Sequence, residues 1–433
     1  MLVRLFPISL QRVGAGKHLY VMSPGTSTTV YEPAVTSEMG LRPYSEVFAP
    51  FLCGMFAFID LYCTQPLLPL LSRVFHASEA SVSLTISSST MGVAVSALLL
   101  AVFAERVDRK RMIIVCMALL AVCTLLTASA TNLRMLAFWR LLQGLVTPGI
   151  FIITITYITE EWPALQVPQV MSVYVSGTVF GGFLGRILGG VIAQHYGWRP
   201  VFLMLGAFGL VGTALTQRLL RPSRARASAV RPASRIAPML ANLRNPRLMA
   251  TFAIGFCMLF SLVAVFSYIT FYLAGEPFRL STQQLSYLFT VYLCGLGTTL
   301  AAGTVLARIG LRIGMMSAIV MCMTGVMLTL FSSLAIVAFG LAVAASGVFV
   351  SQTCANSFLR DAAPAGTRVS AAGMYISCYY IGGTVGGILP GLLWKYGGWH
   401  ACAVLVIGIL MLAGLAAVFG WGVRPPAPDP IPL

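Results

Sequence analysis

The chain has 433 residues, of which 58% are hydrophobic and 9% charged, and a formal net charge of +16. A charged share so far below the usual ~25% excludes a water-soluble globular domain. A positive excess of this size would suggest nucleic acid in a soluble protein, but here it follows the connections between apolar segments.

Residues 1–46 mix Pro, Gly, Ser and Thr without periodicity and lack the basic start, apolar run and cleavage site of a signal peptide. They read as a disordered cytoplasmic tail, with Met22 and Met39 as alternative starts. From about residue 47, apolar segments alternate with short polar connections. The spans are 48–71, 83–104, 112–130, 134–157, 170–194, 199–217, 249–273, 284–306, 313–331, 334–356, 370–394 and 400–421. Lipid leaves the backbone only helices or closed barrels, and these runs are too long for barrel strands. The expectation is an all-α integral membrane protein with twelve transmembrane helices.

The basic connection at 221–247, rich in Arg, Ser, Ala and Pro, divides these helices into six-helix bundles at 47–220 and 248–421, leaving a tail at 422–433. With the N-terminus inside, 16 Lys and Arg fall in inner connections and five in outer ones, which places both termini in the cytoplasm. The charge is therefore a topology signal, and no nucleic-acid partner is expected.

The ten cysteines are scattered without a CxxC pair, and all four histidines fall in tails or connections, so no metal site or cofactor is expected. Trp162, Trp198, Trp394, Trp399 and Trp421 stand at segment ends and read as interface anchors. Pro66, Pro69, Pro148 and Pro390 suggest kinks.

Gly177, Gly181, Gly185 and Gly189 repeat every four residues and make a stripe on the fifth span where another helix can approach. Shifted by 201 residues, Tyr174–Trp198 lies over Tyr375–Trp399 with ten of 25 positions identical, so the chain reads as one half written twice. The copy has Gly387 in place of Arg186 and Pro390 in place of Gly189.

Charges inside a span cost roughly 2.5–3.5 kcal/mol or more at mid-helix, so they mark function by default. Asp60, Arg140 and Arg186 all fall in the outer half of the first bundle, at depths that would let them form one buried cluster. Two readings stay open: an ion pair that fixes packing, or a proton-coupling site in which Asp60 gains and loses a cationic neighbour as the protein alternates. Arg140, Gln143, Thr147 and Thr154 form a polar stripe on the fourth span, which must face the bundle interior or a cavity. In the second half the candidate cavity residues are Tyr268 and Tyr272, Gln352 and Asn356, and Tyr375 and Tyr379. Few of these carry fixed charge, which favours a neutral or weakly charged solute.

After the second span the chain reads AVFAERVDRKRM, and after the eighth GTVLARIGLRIG, with Arg106 over Arg308. The stretch Glu105, Arg106, Asp108, Arg109 and Lys110 resembles the loop motif G-x-x-x-D-R-x-G-R-[RK] of the major facilitator superfamily. Arg106, Arg109 and Lys110 match, while Glu105, Ala101 and Asp108 depart from it. RLLQG at Arg140–Gly144 matches the fourth-helix pattern R-x-x-Q-G, whose arginine is implicated in proton coupling. The glycine stripe resembles the antiporter motif of the family's twelve-helix drug/proton antiporter branch, except that Gly182 and Arg186 stand where that motif has proline. YCTQPLLPLLSRVF, SGTVFGGFLGR and FYLAGEPFRLS are similar to the YnfM-like efflux permeases within it.

The resemblance implies the major facilitator fold, two pseudo-symmetric six-helix bundles rocking around a central site. It implies proton-coupled export of small organic molecules or drugs from a bacterial inner membrane by a monomer, with small-molecule substrate, protons and the lipid bilayer as partners. An uptake symporter or facilitator on the same fold is the alternative. A membrane enzyme is not expected, since no nucleophile–base pair lies at depth. No GxxxxGK[ST] motif is present, so uphill work would draw on an ion gradient.

Overall fold

A computed structural model describes residues 44–103, 108–223, 236–364 and 367–422. Most of the predicted N-terminal tail, Glu105 and Arg106 lie outside the described residues. Each of the twelve predicted spans falls on helix, with three irregularities.

The first span is split into α1 (Tyr44–Ile59) and α2 (Leu68–Phe75) by a turn and a short 3-10 segment, Gln65–Leu67. There follow α3 (Glu79–Phe103), α4 (Arg109–Thr127), α5 (Leu133–Glu161), α6 (Val167–Tyr196) and α7 (Trp198–Leu219). The second half comprises α8 (Ile236–Leu243), α9 (Pro246–Ala274), α10 (Thr282–Tyr287), α11 (Val291–Ile309), α12 (Leu311–Leu328), α13 (Leu334–Ala362) and α14 (Arg368–Gly420). The eighth span is assembled from α10, a 3-10 turn at Leu288–Thr290, and α11. The last two spans are both in α14, which bends where Gly397 and Gly398 leave helical geometry.

Local chemistry sets several of these boundaries. Asp108 accepts from the Arg111 amide at 2.7 Å and Asn132 from the Met135 amide at 2.8 Å, each satisfying a free donor at a helix start. Ser281 and Gln284 form a reciprocal capping box at α10. Two turns are duplicated along with the helices. Gly197 (φ 81°) precedes buried Trp198, and its counterpart Gly398 (φ 54°) precedes buried Trp399. Only glycine adopts that backbone without steric cost.

The glycine stripe is a backbone-to-backbone seam. A Cβ on Gly177, Gly181 or Gly185 would overlap the carbonyl oxygen of Phe51, Met55 or Ile59 of α1, and one on Gly189 would lie 2.8 Å from that of Cys63. The same seam recurs between α14 and α9, where Gly382 meets the Phe256 carbonyl and Gly386 that of Phe260. Both partners of each contact are displaced by 201 residues, so the duplication extends to packing as well as to sequence. Gly185→Ala forces α1 and α6 apart. The expected loss is about 3 kcal/mol or more, read as reduced thermal stability of the purified protein in detergent.

Two expectations need correction. The connection at 221–247 is not exposed linker throughout, because its end folds as α8. Asn242 at that end donates to the Thr367 carbonyl and to Ser370 Oγ (3.2 and 2.8 Å), and Asn245 donates to the Ala362 carbonyl at 3.2 Å. Trp162, Trp198, Trp399 and Trp421 are buried rather than displayed at an interface. The indole N–H of Trp399 is satisfied by Thr329 and that of Trp421 by Thr251, each at 3.1 Å, and these bonds hold the rings inside helix ends. Pro148 and Pro390 sit within helices that continue across them, whereas the first span, which holds Pro66 and Pro69, is interrupted.

Contacts between the halves run from the predicted outer end to mid-depth. Cβ atoms on Gly190 and Gly391, equivalent positions in the two copies, would strike Ser286 of α10 and Ala80 of α3 respectively. Deeper, Thr90 and Thr384 share a hydrogen bond at 3.0 Å, and Ser377 donates to the Ala94 carbonyl at 2.9 Å. In this conformation the predicted outer side is closed.

Candidate substrate and coupling site

The break in the first helix frees backbone acceptors at depth, and Arg140 of α5 takes them up. Its Nη1 donates to the Asp60 carbonyl at 2.7 Å, its Nη2 to the Leu61 carbonyl at 2.5 Å, and its Nε to the Thr85 carbonyl of α3 at 3.1 Å. A second Nη1 bond reaches Gln143 Oε1 at 2.7 Å. Gln143 in turn donates to Thr124 and Thr127 of α4 at 2.9 and 3.2 Å. One guanidinium, 0% exposed, thus ties α1, α3, α4 and α5 together. Arg140 and Asp60 are neighbours, as the sequence suggests, but through the Asp60 backbone: no carboxylate–guanidinium ion pair forms between them.

The Asp60 carboxylate is 3% exposed, and its Oδ1 has no hydrogen-bond partner. Arg140 lies within electrostatic reach of the carboxylate and the Thr124 hydroxyl within hydrogen-bond reach of it. A buried carboxylate oxygen without a donor is costly to keep charged.

Arg186 does not join this group. Its Nε donates to Gln65 Oε1 at 2.7 Å and its Nη1 to the Gly182 carbonyl of its own helix at 2.6 Å. The guanidinium carbon lies 4.8, 5.2 and 4.6 Å from the ring centres of Tyr62, Phe289 and Tyr292. Tyr62 and Gln65 belong to the broken first helix, whereas Phe289 and Tyr292 belong to the second half. The three charges expected to form one cluster are thus two sites, Asp60–Arg140 within the first half and Arg186 on the seam.

The remaining candidates separate in the same way. Gln143 is engaged within the first half. Tyr268 is fully buried and donates to the Gly387 carbonyl at 2.7 Å, close to Pro390. Tyr272 packs its ring on Phe278 and Trp399. Tyr375 and Tyr379 are buried, with ring centres 5.9 Å apart, and Tyr379 meets Tyr380 at 5.6 Å. Gln352 is half-buried and Asn356 exposed. Sequence reasoning missed Tyr62, Phe289, Tyr292 and Tyr380, since aromatic residues in an apolar span give no signal until a cation is seen against them.

In the loop motif, Arg109 pairs with Glu160 at 3.1 Å and Lys110 Nζ donates to the Leu220 carbonyl, fastening the start of α4 to the ends of α5 and α7. Arg312, 202 residues beyond Lys110, donates likewise to the Val418 carbonyl at 2.8 Å.

The Major Facilitator Superfamily sequence profile matches residues 50–387 and again 273–433. The chain belongs to the major facilitator superfamily. It is a multi-pass membrane protein and a transporter rather than an enzyme. An uncharacterized transporter of Buchnera aphidicola (subsp. Schizaphis graminum) is 29% identical over 86% of this chain and 90% of its own length. The inner membrane transport protein YnfM of Escherichia coli is 30% identical over 84% of this chain and 88% of its own. The crystal structure of the nucleoside transporter NupG superposes with a TM-score of 0.72 at 15% identity, covering 86% of this chain and 99% of that one, a likeness of fold.

A side chain at Gly190 is expected to prise α6 from α10. In membranes, Gly190→Leu should raise the alkylation rate at Ser286→Cys by an impermeant maleimide, about tenfold or more if the closed state is disfavoured by at least ~1.4 kcal/mol. Mass spectrometry of the labelled peptide reads the change.

Proposed function

We propose that this major facilitator transporter exports small organic molecules against proton entry. In this reading Asp60 carries the proton, Arg140 holds the broken first helix in place beside it, and Arg186 faces the substrate path. The observation that carries the reading is the unpartnered Oδ1 of Asp60, buried at a helix break whose carbonyls are held by Arg140. Because Arg140 spends its donors on backbone and on Gln143, the Asp60 carboxylate is free to take up and release a proton without first breaking an ion pair. Movement of the break relative to α5 would change its surroundings, which is what coupling requires.

The protein would work as a monomer in a bacterial inner membrane with both termini cytoplasmic, as the distribution of Lys and Arg supports. The six-helix bundles at 47–220 and 248–421 would be the moving bodies, with the basic stretch between them on the cytoplasmic side.

One observation favours uptake or facilitated flow instead. The antiporter motif's prolines are absent from α6, which continues unbroken through Gly182 and Arg186. A growth screen of cells expressing the protein, challenged with a panel of toxic organic compounds, separates the two. Export predicts protection by wild type that is lost in Asp60→Asn. Sensitisation by wild type supports uptake, and protection insensitive to Asp60→Asn overturns Asp60 as carrier.

A further inference from the structure

Arg186 is a buried cation without a counter-ion. It is 3% exposed, and among the described residues no carboxylate lies within ion-pair distance of it. Asp60, the carboxylate at depth, lies beside Arg140 instead. Two of the five guanidinium N–H groups are bonded to Gln65 and Gly182, and the rest meet three aromatic rings and the hydroxyl edge of Tyr292. Cation–π contacts return at most a few kcal/mol, well short of the desolvation cost of an isolated cation. Beside the guanidinium, the buried hydroxyl of Tyr292 lies within interaction reach of Arg186 itself and meets no other hydrogen-bond partner among the described residues.

We infer that Arg186 and the Tyr292 hydroxyl form the headgroup site for an organic monocarboxylate, which takes the place of the aromatic cage when the seam between α6 and α10–α11 opens. This rests on the transporter reading above and names the substrate class for the same path.

The chemistry selects the ligand closely. A guanidinium with free N–H donors matches a carboxylate in two parallel bonds, and the tyrosine O–H supplies a third donor. One net positive charge in a dry site is balanced by one negative charge, whereas a phosphate dianion would leave a buried charge of its own. The body of the ligand would meet rings. Tyr379 and Tyr380 lie within electrostatic reach of Tyr62, and Phe151 faces Tyr380 at 6.4 Å. Flat aromatic walls suit an aryl or alkyl group better than a sugar.

The site also lies where movement would uncover it. Arg186 is one turn from Gly190, about 6 Å along α6, and Gly190 is the closure point against Ser286. Phe289 and Tyr292 are on the opposite half, so separating the seam strips them from Arg186 and leaves the cation needing a partner.

The test uses the full chain in lipid nanodiscs, with benzoate, benzamide and benzylamine as probes of one shape and three charges, and hexanoate as an alkyl acid. Ligand that binds the folded state raises its thermal stability in proportion to occupancy. The expected result is stabilisation by benzoate or hexanoate alone, weakened at least tenfold in apparent affinity by Arg186→Gln and by a smaller factor in Tyr292→Phe. Arg186→Lys, which keeps the charge, should retain part of the acid preference and serves where the glutamine variant fails to fold. Equal stabilisation by the amide or amine, no stabilisation by either acid, or unchanged acid binding in Arg186→Gln overturns the inference. Flux in proteoliposomes separates it from the reading it rests on. Acid binding without flux would leave the anion site standing and overturn the export reading, whereas proton-coupled export of neutral or cationic solutes indifferent to Arg186 would do the reverse.

Discussion

Arg140→Ala is expected to prevent accumulation of a stable, monodisperse protein. The substitution removes four hydrogen bonds from a side chain that is 0% exposed, and it strands the carbonyls of Asp60, Leu61 and Thr85 together with Gln143 Oε1. Each buried acceptor left without a donor costs ~1–3 kcal/mol, so the sum is about 4 kcal/mol or more even after local relaxation. Arg140→Lys should fare little better, because one ammonium cannot reach carbonyls on two helices and Gln143 at once. Size-exclusion profiles and thermal unfolding in detergent read the effect. A monodisperse Arg140→Ala protein with wild-type stability would show that the break in the first helix stands without it.

Asp60→Asn should behave in the opposite way. The amide is nearly isosteric with the carboxyl, Oδ1 has no partner to lose, and the amide oxygen can still accept from the Thr124 hydroxyl, so stability should change by no more than about 1 kcal/mol. Function should fall to background, because an amide cannot exchange a proton in this role. The pair therefore divides a structural charge from a functional one at neighbouring positions. A stable Asp60→Asn protein with full activity would make Asp60 a packing residue, and a destabilised one would show that the carboxylate itself makes a structural bond beyond those Arg140 makes to the backbone.

Much of this architecture was legible in the chain. Twelve apolar runs sufficed to place the helices because lipid leaves the backbone no alternative. The fourfold glycine spacing announced close approach of a partner helix, although only the fold shows that the partner is α1 and that the second copy repeats the contact on α9. The polar stripe of α5 was readable as interior-facing, and Arg140, Gln143, Thr147 and Thr154 are all buried.

The charge cluster was only half legible. Depth along a helix can be counted from sequence, but azimuth across a bundle cannot, so Arg140 and Arg186 at similar depth were expected to meet and do not. The aromatic cage was invisible for a related reason: its members come from two spans in opposite halves, and nothing local distinguishes them from packing residues. The tryptophans show the limit of a positional rule. Standing at segment ends, they fit the interface pattern, yet threonine hydroxyls on neighbouring helices hold Trp399 and Trp421 inside.

The central claim is that proton movement through Asp60 is tied to solute movement. Acid-loaded everted membrane vesicles carrying the full chain, with internal pH followed as candidate solutes are added, test it most directly. The account predicts that a transported solute alkalinises the lumen in wild-type vesicles and leaves it unchanged in Asp60→Asn vesicles containing the same amount of folded protein. Solute accumulation with no pH change in wild type, or an equal pH change in both, would contradict it.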